Sequence, residues 1–144
     1  ADAMVALGYV ADRREAFDRF LADDGPAYVG RYAVRLGEGI DLVHGAGGVA
    51  VLAHPWGRTS KDLLTEAVIR RLVEQHGLDG IEVDHQDNDP ATREELRALA
   101  GRLDVLVTGS SDYHGTGKTD HPLGANTTAE AALAEIDRRI AAAG

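Results

Sequence analysis

Short apolar runs alternate with stretches of helical periodicity over most of this chain, and this alternation limits the possible folds more than any other feature. Three runs rich in Val, Ile and Leu predict buried strands, at residues 49–53, 80–83 and 105–108. Apolar residues at helical spacing follow the first two runs directly and the third after a longer loop. Strands that alternate with helices favour a parallel sheet with right-handed crossovers, so the predicted fold class is α/β.

Turn and capping residues predict the limits of the helices. Helices are expected to begin near residue 38, at Thr59 or Ser60, at Pro90 behind its cap Asp89, and behind Thr127. Residues 1–36 have little strand character and predict a separate helical segment, in which Asp12 and Glu15 form a capping pair. The predicted division is therefore a helical part, 1–36, and an α/β part, 37–144.

The composition is that of a folded protein without thiol chemistry. Of the 144 residues, 44% are hydrophobic, which is enough for one domain with a substantial core. There is no Cys, so disulfides and thiolate ligands are excluded, and a metal would have to bind His and carboxylate groups. The formal charge of −9 argues against broad electrostatic binding to nucleic acid. No apolar run approaches the length of a membrane span and no secretory signal is visible, so we expect a cytoplasmic protein.

Histidine follows the end of every predicted strand. His54 follows the first strand, His85 follows the second, and Asp112 and His114 follow the third. The carboxyl ends of parallel strands lie at one edge of a sheet, where ligand sites form in α/β folds. We therefore expect these four side chains to share one neighbourhood.

The segment 105–118 carries the strongest indication of chemistry. It places Asp112 and His114 two positions apart, which puts both side chains on the same side of extended backbone. A carboxylate and an imidazole in this arrangement can hold one metal ion. The alternative is a solvated loop between a strand and a helix, in which Asp112 acts as a cap and His114 has no function.

Two stretches resemble signatures of the PHP (polymerase and histidinol phosphatase) superfamily. Residues 47–55, GGVAVLAHP, with the Gly57-Arg58 pair after them, resemble the third signature of the family. Residues 80–83, GIEV, and residues 109–115, GSSDYHG, are similar to the segments that follow it. The resemblance covers residues 37–144, and the helical segment 1–36 is similar to the insertion found in stand-alone nucleotide-processing members.

This resemblance implies the C-terminal part of a distorted (β/α)7 barrel with a multinuclear cluster of Mn, Zn or Fe at its strand ends. It implies that His54, Asp112 and His114 are metal ligands. The His-x-His strand with which the family opens, and the other ligands that precede the insertion, do not occur in this chain. We therefore expect the missing N-terminal part of the same protein to complete the site, and this chain alone to bind metal weakly and to be inactive.

The implied reaction is hydrolysis of a phosphoester bond in a nucleotide or short oligonucleotide by a metal-activated water, as in an exonuclease. Arg58 is the predicted phosphate anchor, because Arg contacts phosphate through two donors, and Lys118 is a second predicted substrate contact. His85 could be a metal ligand, a proton donor or a residue that orients a ligand, and the last is favoured together with substrate contact. Two alternatives stay open, a metal-dependent amidohydrolase and a non-catalytic PHP module.

Three further residues have no assigned role in this scheme. The role of Glu82, within the second strand, is open. Trp56 is expected to pack under its loop rather than to stack on a base. His121, which precedes a proline as His54 does, follows a loop and not a strand, so it is given little weight.

Overall fold

The chain forms two compact units, Ala1–Ala33 and Val34–Gly144. The computed structural model describes residues 1–22, 25–30, 32–57, 60–115 and 120–143. The first unit contains α1 (Asp2–Ala6) and α2 (Arg13–Ala16), and α2 continues as a π-helical turn over Phe17–Leu21. The second unit contains, in order, α3 (Leu36–Gly45), β1 (Val51–Leu52), α4 (Glu66–His76), β2 (Gly80–Asp84), α5 (Pro90–Leu103), β3 (Leu106–Gly109) and α6 (Glu130–Ala143).

Local capping chemistry fixes the helical turn of the first unit. Asp12 Oδ1 accepts a hydrogen bond from the backbone N–H of Glu15 at 2.8 Å, and Glu15 Oε2 accepts one from the N–H of Ala11 at 2.7 Å. The predicted cap at Asp12 is therefore confirmed, and it satisfies a backbone donor of the first helical turn. Glu15 differs from the capping-box pattern, because it accepts from Ala11, the residue before the cap, and not from Asp12.

The second unit is built on a parallel sheet with strand order β1-β2-β3. Val51 aligns with Gly80, and Gly80 aligns with Leu106. Because every connection carries at least one helix, the chain reaches the same end of the sheet each time a strand begins. The predicted α/β class with parallel strands is confirmed.

The core lies where α4 and α5 pack on the central strand. Ile81 and Val83 of β2 are fully buried against Leu96 and Leu99 of α5, and Ile69 of α4 closes the cluster. Near-continuous apolar sequence in β2 follows from burial on both of its faces. This packing fixes the position of the β2 carboxyl end, from which the candidate site is built.

Three predicted boundaries are wrong: α6 begins at Glu130 and not directly behind Thr127, and two others differ for identifiable local reasons. β1 is shorter than 49–53 because the N–H of Ala50 donates to the side chain of Asp79 at 2.8 Å instead of to a neighbouring strand. The helix expected from Thr59 or Ser60 begins at Glu66, behind a short 3-10 turn over Ser60–Asp62. Thr65 caps it, since its hydroxyl accepts the N–H of Val68 at 3.4 Å; Thr59 lies outside the described residues. No helix among the described residues is long and apolar enough to cross a membrane.

The side chain of Asp79 joins three elements of the second unit. It accepts hydrogen bonds from His44 Nε2 and the N–H of Ala50, both at 2.8 Å, and from Arg139 Nη1 at 2.9 Å. Burial acts to raise the pKa of Asp79, but the bonds from His44, Ala50 and Arg139 outweigh it and hold the pKa below its ordinary value. The charged carboxylate therefore stabilises the fold at neutral pH.

We expect Asp79→Asn to lower the free energy of unfolding at pH 7 by about 1.5–3 kcal/mol, the usual range for a hydrogen bond to a charged group. Because the folded-state pKa is depressed, this contribution is present above the unfolded pKa of about 4 and is lost as the pH falls through the folded-state pKa. Urea denaturation at neutral and acidic pH measures both effects, with the exposed Asp62→Asn as control. If the free energy of unfolding of Asp79→Asn depended on pH as steeply as that of the wild type, the charged Asp79 carboxylate would not stabilise the fold as proposed.

Candidate metal centre

The three strand ends bring their polar side chains to one rim of the sheet. The ring centroids of His54 and His85 are 4.8 Å apart, and Nε2 of His85 lies 3.6 Å from Oδ2 of Asp112. Nδ1 of His114 lies 3.6 Å from Oδ1 of Asp112. The structure therefore places the predicted ligands His54 and Asp112 beside the ring of His85, and it places the third, His114, beside Asp112.

The backbone is strained at two of these residues. His54 has φ of +29° and Asp112 has φ of +49°, a region that residues other than glycine rarely occupy. Each such residue costs about 1–3 kcal/mol, and such strain concentrates at functional sites. The N–H of His54 donates to Oε2 of the buried Glu82 at 2.8 Å, and the N–H of Asp112 donates to Oγ of Ser110 at 3.1 Å. These bonds hold both side chains at the rim in spite of the backbone preference.

Gly109 is required where β3 leaves the sheet for the rim. A Cβ at this position would lie 2.7 Å from the carbonyl oxygen of Thr127 and 2.8 Å from Cβ of Asp84. No larger residue fits between these two neighbours without a shift of the backbone. The close approach sets the path of residues 110–112, and with it the direction in which Asp112 leaves the sheet.

The ring of His114 is held in the orientation that metal-binding histidines adopt. Its Nδ1 is 2.7 Å from the carbonyl oxygen of Asp112, and because a carbonyl only accepts, Nδ1 carries the proton. Nε2 of the neutral ring then keeps its lone pair. Metal-binding histidines commonly donate the other ring N–H in this way.

His85 is fully buried at the centre of the cluster. Burial lowers its pKa, which favours the neutral ring. Its Nδ1 accepts the backbone N–H of Asp87 at 3.1 Å, so the ring proton resides on Nε2, the atom that points towards Asp112. Arg93 fixes the loop by donating to the carbonyl oxygens of His85 at 2.6 Å and Asn88 at 3.0 Å. His85 is thus presented as an N–H donor at the rim.

His121, which received little weight from the sequence, belongs to the same cluster. It is only 3% exposed, and its ring centroid lies 5.9 Å from that of His85. Nδ1 is 2.9 Å from Oδ1 of Asp120, and Nε2 is 3.5 Å from Oδ1 of Asp87. The sequence offered only the His-Pro dipeptide as a signal, because the long loop before His121 gives no register with which to place it.

Two groups of side chains have the geometry to hold a cation. His54, Glu82 and His85 offer ligand atoms that all lie within 4.8 Å of one another, and so do His85, Asp112 and His121. Among the described residues, Nε2 of His85 and Nε2 of His121 are buried without a hydrogen-bond partner. Imidazoles and carboxylates in such a set suit Mn, Fe or Zn, so these residues fit a divalent metal ion.

Trp56 and Ser111 make hydrogen bonds that support the fold and take no part in the candidate metal groups. Trp56 donates its Nε1–H to the carbonyl oxygen of Leu64 at 2.7 Å and lies under Lys61 Nζ, 4.7 Å from the ring centroid, as expected of a packing residue. Ser111 is tied to the backbone of Asn126 by two hydrogen bonds of 3.1 Å. The predicted substrate contacts Arg58 and Lys118 lie outside the described residues, so their role stays a prediction.

The chain is similar over most of its length to parts of known enzymes. No protein-family profile matches the chain. Over 111 residues, or 77% of its length, the chain is 30% identical to the 5′-3′ exoribonuclease Rnm of Escherichia coli, of which it covers 38%. It is 30% identical over 124 residues to the 3′,5′-nucleoside bisphosphate phosphatase of Chromobacterium violaceum and covers 42% of that protein.

A solved structure shares the fold. It is described as a metal-dependent phosphoesterase from Bifidobacterium adolescentis, and it superposes on 96% of the chain with a TM-score of 0.79 and 40% identity. The chain covers 48% of that structure. It therefore spans less than half the length of each of these three proteins.

Proposed function

We propose, from the premise that the chain belongs to the PHP superfamily, that it supplies part of the metal site of a phosphoesterase. The proposed substrates are nucleotides or the ends of short oligonucleotides, in line with the names of the relatives. The observation that carries the proposal is the meeting of His54, His85 and Asp112, from three successive strand ends, within a few ångströms.

His54, Asp112 and His114 are the proposed metal ligands. Three observations support this assignment: the left-handed backbone of His54 and Asp112, the lone pair that the Asp112 carbonyl leaves on Nε2 of His114, and the two groups of possible metal ligands, one of which contains His54 and the other Asp112. Divalent ions at such a site neutralise phosphate charge and lower the pKa of a bound water. The proposed ions are Mn, Zn or Fe, in a cluster that the N-terminal part of the same protein completes.

Other side chains have roles in positioning, proton transfer or substrate binding in this proposal. Glu82 holds the backbone N–H of His54 and thereby sets the direction of its ring. His85, with its proton on Nε2, is the proposed proton donor or substrate contact beside the metal ligands. Arg58 and Lys118 are proposed to bind the phosphate.

The rest of the architecture follows from the same premise. We propose that residues 37–144 form the C-terminal part of a distorted (β/α)7 barrel, and that residues 1–36 are the insertion that precedes it. The described sheet supplies three parallel strands of that barrel. The proposed location of the protein is the cytoplasm.

Metal removal tests the function. In the complete protein, chelation is expected to lower turnover of a nucleoside 3′,5′-bisphosphate or a 5′-phosphorylated RNA oligonucleotide by more than about 100-fold, because metal ions supply most of the stabilisation in such reactions. Adding back Mn²⁺, Zn²⁺ or Fe²⁺ separately should restore turnover with at least one ion. Full turnover by a metal-free preparation would contradict the proposal.

The same preparation separates the two alternatives. A non-catalytic PHP module would hold fewer than two metal ions per chain and would hydrolyse neither substrate. An amidohydrolase would bind metal but would release no phosphate from these substrates and would hydrolyse an amide or ring-amide substrate instead.

A further inference from the structure

We propose that His121 and Asp112, assisted by His85, form a cation position that the family resemblance does not assign, selective for a divalent transition metal such as Zn²⁺. This inference rests on the proposed function only in its use of Asp112 as a metal ligand. His121 and His85 are additional to the three ligands that the resemblance implies. All three residues belong to this chain, so the position does not need the N-terminal part of the protein.

The protonation of His121 is the first step. Nδ1 lies 2.9 Å from a carboxylate oxygen of Asp120, which accepts a hydrogen bond, so Nδ1 carries the proton. In the neutral ring Nε2 then has a lone pair. A carboxylate that holds the far side of an imidazole is the usual support of a metal-binding histidine, because it fixes the ring and raises its basicity.

The surroundings of Nε2 are the second step. The side chain is 3% exposed, and Nε2 has no hydrogen-bond partner among the described residues. A buried polar atom without a partner costs about 1–3 kcal/mol, so native proteins rarely leave one. Its surroundings are electron-rich: Oδ1 of Asp87 lies 3.5 Å from Nε2, and a carboxylate oxygen of Asp112 lies within 4.8 Å of one of the two ring nitrogens. A lone pair beside carboxylates is satisfied by a cation.

His85 is the third member of the group, but its ring proton must move before the ring can bind a metal ion directly. One of its ring nitrogens lies within 4.8 Å of the ligand atoms of Asp112 and His121. Its Nδ1 accepts the N–H of Asp87, so Nε2 can bind a metal only if the ring proton moves to Nδ1 and that bond is given up. His121 and Asp112 need no such change. They are therefore the primary ligands, and His85 is a third ligand or an N–H donor to another group on the cation.

The competing explanation needs no metal. A doubly protonated His121 could form an ion pair with Asp120 through Nδ1 and with Asp87 through Nε2, at 2.9 and 3.5 Å. If His121 binds a cation, its replacement reduces the amount or affinity of bound metal. If His121 only forms the ion pair, its replacement leaves metal binding unchanged. The two can therefore be separated by measuring bound metal rather than activity.

The test uses the complete protein, depleted of metal and titrated with Zn²⁺, with Co²⁺ as a spectroscopic probe. His121→Gln is expected to lose about one equivalent of bound Zn²⁺, or to bind its weakest equivalent at least about 10-fold less tightly, and to change the Co²⁺ absorption spectrum. His76→Gln is the matched control, because His76 lies at the end of α4 and pairs with Asp41 away from the rim. Unchanged stoichiometry, affinity and Co²⁺ spectrum in His121→Gln would overturn the proposal in favour of the ion pair.

A second variant covers the case in which His121→Gln does not fold. Asp120→Asn keeps the ring of His121 but replaces the carboxylate that holds Nδ1, and it is expected to weaken Zn²⁺ binding by about 10–100-fold. Equal binding in Asp120→Asn and the wild type would also overturn the proposal. The two proposals can also fail separately. If the wild type hydrolyses no phosphoester, but the His121→Gln variant binds less Zn²⁺ than the wild type, the proposed function is wrong and the cation position is supported.

Discussion

Replacement of Asp112 by Asn in the complete protein is expected to lower phosphoester turnover by more than about 100-fold, beyond the roughly 10–100-fold that is typical of residues which only orient a ligand. Asn keeps the size of the side chain and tolerates left-handed backbone, so it fits the φ of +49° at this position. What the substitution removes is the negative charge that faces His85 and His114 at 3.6 Å. The loss should therefore appear in turnover and metal content, and not in stability.

The control for this prediction is Asp137→Asn, which removes the same charge from an exposed position on α6. Steady-state kinetics, metal analysis and thermal unfolding on both variants separate the site from the overall charge. If Asp112→Asn retains the turnover and metal content of the control, Asp112 is not a ligand.

The second large effect is expected from the core beneath the site. Ile81 is fully buried in the central strand β2, next to Glu82 and packed with the residues of α5. Ile81→Ala should lower the free energy of unfolding by about 2–5 kcal/mol, because it leaves a cavity that the surrounding sheet and helix cannot close. Since β2 carries both Glu82 and the approach to His85, the same variant should also weaken metal binding.

Chemical denaturation measures the first effect and metal titration of the folded fraction measures the second. Leu63→Ala makes a comparable deletion at a side chain that is 78% exposed, and it should change stability by less than about 0.5 kcal/mol. If Ile81→Ala and Leu63→Ala had the same free energy of unfolding, the packing of β2 would not be what supports the rim.

The sequence predicted the sheet better than the helix starts, for physical reasons. The central strand has apolar residues at consecutive positions because both of its faces are covered, and this pattern is visible without coordinates. The cap at Asp89 was equally visible, and its Oδ1 accepts the N–H of Thr92 at 2.7 Å as expected. The start of α4 was misplaced because Thr59, Ser60 and Thr65 can all cap a helix, and only tertiary contacts choose among them.

The candidate site divides in the same way. His54, His85 and Asp112 follow strands, so parallel topology alone predicts that they meet, and the structure places them together. His121 comes from a loop whose path depends on long-range contacts, such as those of Ser111 with Asn126, and no local pattern indicates them. The positive φ of His54 and Asp112 is likewise a property of the folded chain, because His and Asp tolerate left-handed backbone without requiring it.

The most direct test of the account is X-ray diffraction from crystals of the complete protein grown with Mn²⁺, with data collected at the manganese absorption edge. The account predicts anomalous peaks at coordinating distance, about 2.0–2.3 Å, from a ring nitrogen of His54, a carboxylate oxygen of Asp112 and a ring nitrogen of His114. Well-ordered side chains at these three residues without an anomalous peak beside them would contradict it.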